Sequence, residues 1–328
     1  MPVWLILLLA ALLLGGGSLA GGWLLFHRGF APGRDPMATE LSNLLRLQNG
    51  PLAPRAEFVR QGREWLDAQP CRHLYFTNRE GLRLHARYFT ATAQPTGRVL
   101  LMAHGYHSCG SFDFGCGCPF YLGLGYDLCV VDQRAHGESQ GDQVCFGVRE
   151  SGDMVEWCRF LLAQDPCRPI VLAGISMGAT SMLLAAGRED LPGQVLGVIA
   201  DCGFISCEEQ FRDVLRQLHL PRFPILNWAE LICRARLGFG FRENSTLDAV
   251  ARMKIPVIFF HGEADDFVPP RNSIENYQAC RAPVKQLVLT PGAGHGQSFL
   301  ADEQGCRAQL SAFLGALSTN TQTTEDHS

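Results

Sequence analysis

The chain has 328 residues, which leaves about 300 for one large domain with a sizeable core once an apolar N-terminal segment is set aside. Hydrophobic residues make up 47% and charged residues 18%, a globular composition that excludes a disordered chain. A net charge of -4, with no run of Lys or Arg, excludes nucleic acid as a partner, because phosphate recognition needs a basic face.

In chain order, residues 1–27 come first. Val3 to Phe26 is uncharged and apolar; as a helix it would be about 36 Å long, enough to cross a bilayer. A secretory signal peptide is the rival reading, since Ser18-Leu19-Ala20 resembles a cleavage site. No Lys or Arg precedes the run, however, and Trp23-Leu24-Leu25-Phe26 continues it, so a single-pass transmembrane anchor is expected. Arg28 and Arg34 follow it, and the positive-inside rule then puts the large domain in the cytoplasm; a secreted or extracytoplasmic domain is the alternative. Thirteen cysteines without regular spacing agree with a reducing compartment.

Residues 28–70 read as a linker followed by a helical segment from about Met37 to Gln69, broken near Asn49-Gly50-Pro51. Residues 71–317 read as one α/β domain. Leu82, Leu84, Ala86 and Tyr88 alternate with Arg83, His85, Arg87 and Phe89, the period of a half-buried strand, and Leu74–Thr77 forms its hairpin partner. The runs at Val99–Ala103, Leu128–Val131, Ile170–Ala173, Val195–Ala200, Val257–Phe260 and Leu287–Leu289 suit strands covered on both faces. Between them lie helical stripes, one through Val148, Met154, Val155, Cys158, Leu161 and Leu162 and another through Leu310, Phe313, Leu314 and Leu317. This alternation predicts a mostly parallel, doubly wound sheet. From about Gly203 to Ala251 the rhythm breaks into two helical stretches, which read as an inserted cap, and the polar residues 318–328 read as a disordered tail.

Three loops carry chemistry. Ser176 sits in Gly174-Ile175-Ser176-Met177-Gly178, between a strand and a good helix, where a strained turn exposes a nucleophile. His261-Gly262-Glu263-Ala264-Asp265-Asp266 places carboxylates after the strand 257–260. Gly292-Ala293-Gly294-His295-Gly296 places an imidazole after the strand 287–289. Serine needs a base and the base an orienting acid, and the chain order Ser, Asp, His fits that arrangement. In such a site one oxyanion-binding N–H comes from Met177 and the other from the loop His104-Gly105-Tyr106-His107, at Tyr106.

With these pieces the chain resembles the membrane-anchored or secreted bacterial α/β hydrolases of the serine aminopeptidase and cinnamoyl-esterase-like group. The resemblance rests on His104-Gly105-Tyr106, Asp132-Gln133-Arg134-Ala135-His136-Gly137-Glu138-Ser139, Gly174-Ile175-Ser176-Met177-Gly178, Asp201-Cys202-Gly203, the His261–Asp265 loop with Val268-Pro269, and Gly294-His295, over roughly residues 75 to 315. It implies that the acid is Asp265 rather than Asp266, and that the Asp132–Ser139 turn is structural. Gln133 and Ala135 are mild departures from the family's turn.

The expected function is a serine hydrolase that cleaves a small-molecule ester through an acyl-enzyme, with Ser176, Asp265 and His295 catalytic. A peptidase or amidase is the second reading, and a membrane-tethered, inactive hydrolase-fold binding protein the non-enzymatic one. Apolar cap residues (Phe211, Leu215, Leu218, Phe223, Ile225, Leu226, Trp228) favour an acyl or aryl substrate. No cofactor is implied. Cys109, Cys116 and Cys118 lie in one loop near His104 and His107, but their spacing fits no common zinc signature, so no metal is expected. The sequence does not fix the oligomeric state.

Overall fold

A computed structural model describes residues 3–33, 52–91, 93–243 and 245–325, with side chains described between Gly15 and Leu317. Two compact units divide the chain: a smaller one from Met1–Ala31 and Ser206–Glu243, and a larger one from Pro32–Ile205 and Asn244–Ser328.

In chain order the elements are α1 (Val3–Gly29), α2 (Ala56–Asp67), β1 (Arg72–Thr77), β2 (Arg83–Phe89), β3 (Val99–Ala103), α3 (Gly110–Phe114), α4 (Cys118–Gly123), β4 (Asp127–Asp132), α5 (Glu150–Gln164), β5 (Ile170–Ile175) and α6 (Met177–Ala186). They continue with β6 (Val195–Asp201), α7 (Cys207–Gln217), α8 (Ile225–Leu237), α9 (Thr246–Arg252), β7 (Val257–Gly262), α10 (Arg271–Ala279), β8 (Lys285–Thr290), α11 (Ser298–Ala301) and α12 (Glu303–Glu325).

The larger unit is built on one eight-stranded sheet in the order β1-β2-β4-β3-β5-β6-β7-β8. β1 and β2 form an antiparallel hairpin and β2 runs antiparallel to β4. All remaining neighbours are parallel. Each apolar run is a strand whose alternate residues face two cores on opposite faces, but β8, at the sheet edge, is only partly buried and Leu287–Leu289 is not covered on both faces as expected. Leu101, Cys129, Leu172, Val198 and Phe259 meet Trp157, Met182 and Leu183 on one face. Leu100, Met102, Val130, Val171 and Ile258 meet Tyr121, Leu310, Phe313 and Leu314 on the other. A side-chain period of two explains why strands buried on both faces read as unbroken apolar runs.

Several expectations change in detail. β2 is not half-buried: His85 and Phe89 are covered as fully as Leu84, Ala86 and Tyr88, because both faces of the sheet are packed there. Val148 precedes α5, whose buried stripe is Met154, Val155, Trp157, Cys158 and Leu161. Three helices, not two, lie between β6 and β7, and α9 belongs to the larger unit because its Val250 joins the sheet core. α12 runs through Glu325, so the backbone of residues 318–325 is helical where a disordered tail is expected from polarity; with no Pro or Gly in that stretch, a helix already nucleated propagates. Residues 34–51, which include the first part of the expected N-terminal helical segment, lie outside the described residues; its second part is α2.

In the smaller unit, α1 runs two residues past the expected anchor, and Phe30 is no linker residue. Phe30 is buried with its ring near those of Phe26, Phe211, Phe239 and Phe241. Gly22 lets α1 approach α8 closely, since a Cβ there would lie 2.9 Å from the Ile225 carbonyl oxygen. Ser206 caps α7 by accepting the Glu209 N–H at 3.2 Å. Among the described residues no helix is long and apolar enough to cross a membrane; the side chains of residues 3–14 in α1 lie outside them.

Candidate active site

The site forms at the C-terminal ends of the parallel strands of the larger unit. Ser176 follows β5 with φ 55° and ψ -118°, a conformation non-glycine residues rarely adopt. Two contacts fix it: its N–H donates to the Asp201 carbonyl at 2.8 Å, and its carbonyl accepts the Thr180 N–H at 3.0 Å. The flanking glycines are required by contact, because a Cβ at Gly174 would strike the Gly178 backbone and one at Gly178 would strike the Ala103 carbonyl. The turn thus holds a hydroxyl at the N-terminus of α6, whose first N–H groups, Met177 included, have no acceptor within the helix.

His295, after β8, places Nε2 2.9 Å from Ser176 Oγ. Its Nδ1 lies 2.7 Å from Asp265 Oδ2. Asp265 follows β7 with its side chain fully buried. Its Oδ1 accepts the N–H groups of Phe267 and Val268 at 3.0 and 2.9 Å. His261 Nε2, 2.8 Å from the Val268 carbonyl and so protonated, lies 3.2 Å from Asp265 Oδ2. Burial alone would raise the Asp265 pKa, but the hydrogen bonds to His261 and His295, with the charge of His295 and the Val268 amide, hold it at about 2. A carboxylate that stays ionised beside Nδ1 keeps the proton there and leaves the Nε2 lone pair facing Ser176 Oγ. Among the loop carboxylates the sequence offered, it is Asp265 that meets the imidazole.

The loop after β3 passes close to the serine: a Cβ on Gly105 would lie 3.3 Å from Ser176 Cβ. Asp113 anchors this loop by accepting the Gly105 N–H and the Ser108 hydroxyl, both at 2.6 Å. His136 Nδ1 donates to the Arg134 carbonyl and Nε2 accepts the His107 N–H at 3.0 Å. Burial pushes the His136 pKa down to about 3, so this imidazole is a neutral strut rather than an acid or base. Tyr106 stacks its ring on His107, with centroids 3.9 Å apart, in the middle of the braced loop.

Sequence reasoning gave no role to Asp113, Asp201, Cys202 or His261. Asp201 lies at the end of β6, and burial pushes its pKa up to about 6, with His261 and His295 opposing the rise and Asp265 adding to it. Cys202 is buried beside it, and burial raises its thiol well above the ordinary value. The only signal for these groups was their place in the Asp201-Cys202-Gly203 and His261–Asp265 segments, which does not show which side chains turn inward. No disulfide links any of the thirteen cysteines. Burial pushes the Cys116 thiol up to about 12 and raises Cys118 as well, and neither converges with His104 or His107 on a common point.

A family model described as "Alpha/beta hydrolase family" matches residues 99–308. The uncharacterized protein YqkD of Bacillus subtilis is 30% identical over 204 residues, which cover 62% of this chain and 66% of that protein, just under two thirds of its length. The Pyrococcus furiosus esterase Pf2001 superposes with a TM-score of 0.61 at 19% identity, covering 75% of this chain and 91% of that one. The Pyrococcus horikoshii acylaminoacyl peptidase superposes with a TM-score of 0.56 at 15% identity, covering 79% of this chain and 43% of that one.

Proposed function

Since the chain belongs to the α/β hydrolase family, we propose that it is a serine hydrolase that cleaves a carboxylic ester by acyl transfer. The observation that carries this reading is the unbroken row of Ser176 Oγ, His295 Nε2, His295 Nδ1 and Asp265 Oδ2, with separations of 2.9 and 2.7 Å. In the proposed reaction His295 Nε2 takes the hydroxyl proton as Ser176 Oγ bonds to the ester carbon. The Tyr106 and Met177 N–H groups hold the oxyanion of the tetrahedral intermediate. The C–O bond to the leaving alcohol then breaks, and His295 returns the proton to that oxygen. A water molecule, deprotonated by the same Nε2, attacks the acyl-serine; the Ser176 Oγ–acyl bond then breaks, Oγ takes the proton back from Nε2 and the acid is released. Asp265 keeps the imidazole in the right tautomer and stabilises its charged form throughout.

Ester rather than amide cleavage is favoured by the likeness to an esterase along nearly the whole of that chain. The test is turnover of p-nitrophenyl esters of increasing acyl length beside aminoacyl-naphthylamides. Faster ester turnover supports the proposal, and preferential amide turnover identifies a peptidase like the second structural neighbour.

The reading also places the protein at a membrane, held by α1. Apart from Tyr75 and Val284, the exposed large apolar side chains described are Leu19, Trp23, Leu24, Leu218, Leu220, Phe223 and Leu231, all in the smaller unit. Such a concentration suits a lipid surface better than water. The basic flank at Arg28 and Arg34 directs the larger unit to the cytoplasm. External protease on intact cells is expected to leave it uncut, and digestion there would reverse the topology.

A further inference from the structure

Away from the serine row, three potential metal ligands converge on the outer end of the sheet. They are His73 on β1, His85 on β2 and Glu138 in the turn after β4. The hairpin register pairs His73 with Arg87 and Tyr75 with His85, so the two histidines are diagonal neighbours on one face. His73 Nδ1 and His85 Nε2 are 2.8 Å apart, and Glu138 Oε1 lies 3.9 Å from the first and 4.0 Å from the second.

The groups behind these atoms are arranged as metal sites arrange them. His85 Nδ1 lies 2.8 Å from Asp132 Oδ2; a carboxylate only accepts, so Nδ1 carries the proton and Nε2 presents a lone pair. Asp132 Oδ2 is itself held by the Glu138 N–H at 2.9 Å. The Tyr75 hydroxyl donates to Glu138 Oε2 at 2.7 Å, which turns Oε1 toward the two imidazoles. Ligating histidines and carboxylates are commonly held by such outer hydrogen bonds. The His85 side chain is buried, whereas His73 and Glu138 are exposed, so the site has a fixed wall and an open side.

We propose that His73, His85 and Glu138 bind a divalent first-row transition metal ion, with zinc the best match to two imidazoles and one carboxylate. Tetrahedral zinc spaces its ligand atoms about 3.3 Å apart. The two nitrogens open by about half an ångström and the carboxylate closes by a similar amount, adjustments within the reach of two exposed side chains. Water fills the fourth position. On binding, the proton shared between the two rings leaves His73 Nδ1 for Nε2 of the same ring, which faces Cys71 Sγ at 3.9 Å. The ion ties the β1–β2 edge to the Asp132–Ser139 turn, and His136 of that turn braces the His107 amide. Its role is structural, separate from the acyl-transfer chemistry.

The test is a Zn²⁺ titration of the chelator-stripped full chain in detergent, against a competing chromophoric chelator, with Co²⁺ absorption as a second readout. One ion per chain is expected at micromolar concentration. His73→Ala and Glu138→Ala are each expected to weaken binding about tenfold or more and to abolish the Co²⁺ visible bands. Ester turnover by His73→Ala should match the unmodified protein, and His295→Ala should still bind Zn²⁺. His73 and Glu138 are exposed, so both variants should fold, which circular dichroism checks. Three outcomes would overturn the proposal: no uptake by the folded protein at 100 µM (about a hundred times the expected concentration), binding lost with His295→Ala but kept by His73→Ala, or binding lost with Cys71→Ser but kept by His73→Ala.

Discussion

Asp265 and Asp266 are neighbours with the same chemistry, and only their surroundings separate them. Asp265 receives two backbone N–H groups and lies within hydrogen-bonding reach of two imidazoles. Asp265→Asn is expected to lower kcat by about 10⁴, as loss of the correct imidazole tautomer does in Ser-His-Asp enzymes, while Asp266→Asn changes it little. Steady-state kinetics on the two variants checks this, and the reverse order would move the acid to Asp266. Stability against pH gives an independent reading of the same carboxylates. Asp265 is held at about 2 against an ordinary 3.8, so it contributes about 2 kcal/mol above pH 4, lost as the pH falls through about 2. Asp201 is displaced the other way, to about 6, so the folded state holds a proton that the unfolded chain has released. Its contribution is present below about pH 4 and is lost as the pH rises through 6. Denaturant unfolding between pH 2.5 and 7 is expected to show Asp265→Asn flattening the acid limb and Asp201→Asn removing the fall between pH 4 and 6. Swapped effects would mean that the two charge states have been assigned wrongly.

At the level of elements, the turn from Asp132 to Ser139 shows how a buried network supports a site it does not join. Arg134 donates to Asp153 at 2.7 and 2.8 Å, with both side chains almost wholly buried. Asn78 adds a hydrogen bond to Asp153 at 2.7 Å. Removing one partner strands a buried charge, so Arg134→Ala should cost about 3–5 kcal/mol. Adding Asp153→Ala should recover part of that loss, because the stranded carboxylate goes with it; chemical denaturation of both variants measures this, and strictly additive losses would contradict the coupling. The strands around this network were plain in the sequence because parallel strands buried on both faces leave unbroken apolar runs. The antiparallel pair was legible from its period of two and its Asn78–Gly81 turn, though the burial of His85 was not, since a polar side chain gives no sign that a carboxylate waits behind it. Ser176 and His295 were visible because glycines mark their loops. His261 and Asp201 were not, because their roles arise only where β6, β7 and β8 lie side by side.

On the scale of the whole molecule, the sheet, the braced loop and the three-residue row serve one chemical proposal, and the smaller unit carries most of the exposed large apolar side chains described. The pattern of α1 was legible as an apolar helix, while its packing on α8 through Gly22 and into the aromatic cluster around Phe30 was not, because hydropathy does not distinguish lipid from protein as the neighbour. The central claim is that Ser176 is an activated nucleophile. Fluorophosphonate labelling of the full chain, followed by peptide mass spectrometry, tests it most directly. One adduct per chain is expected, on the peptide that carries Ser176, absent from Ser176→Ala and slowed by at least about 10³ in His295→Ala. A folded protein that takes no label, or a Ser176→Ala variant labelled as fast as the unmodified chain, would contradict it.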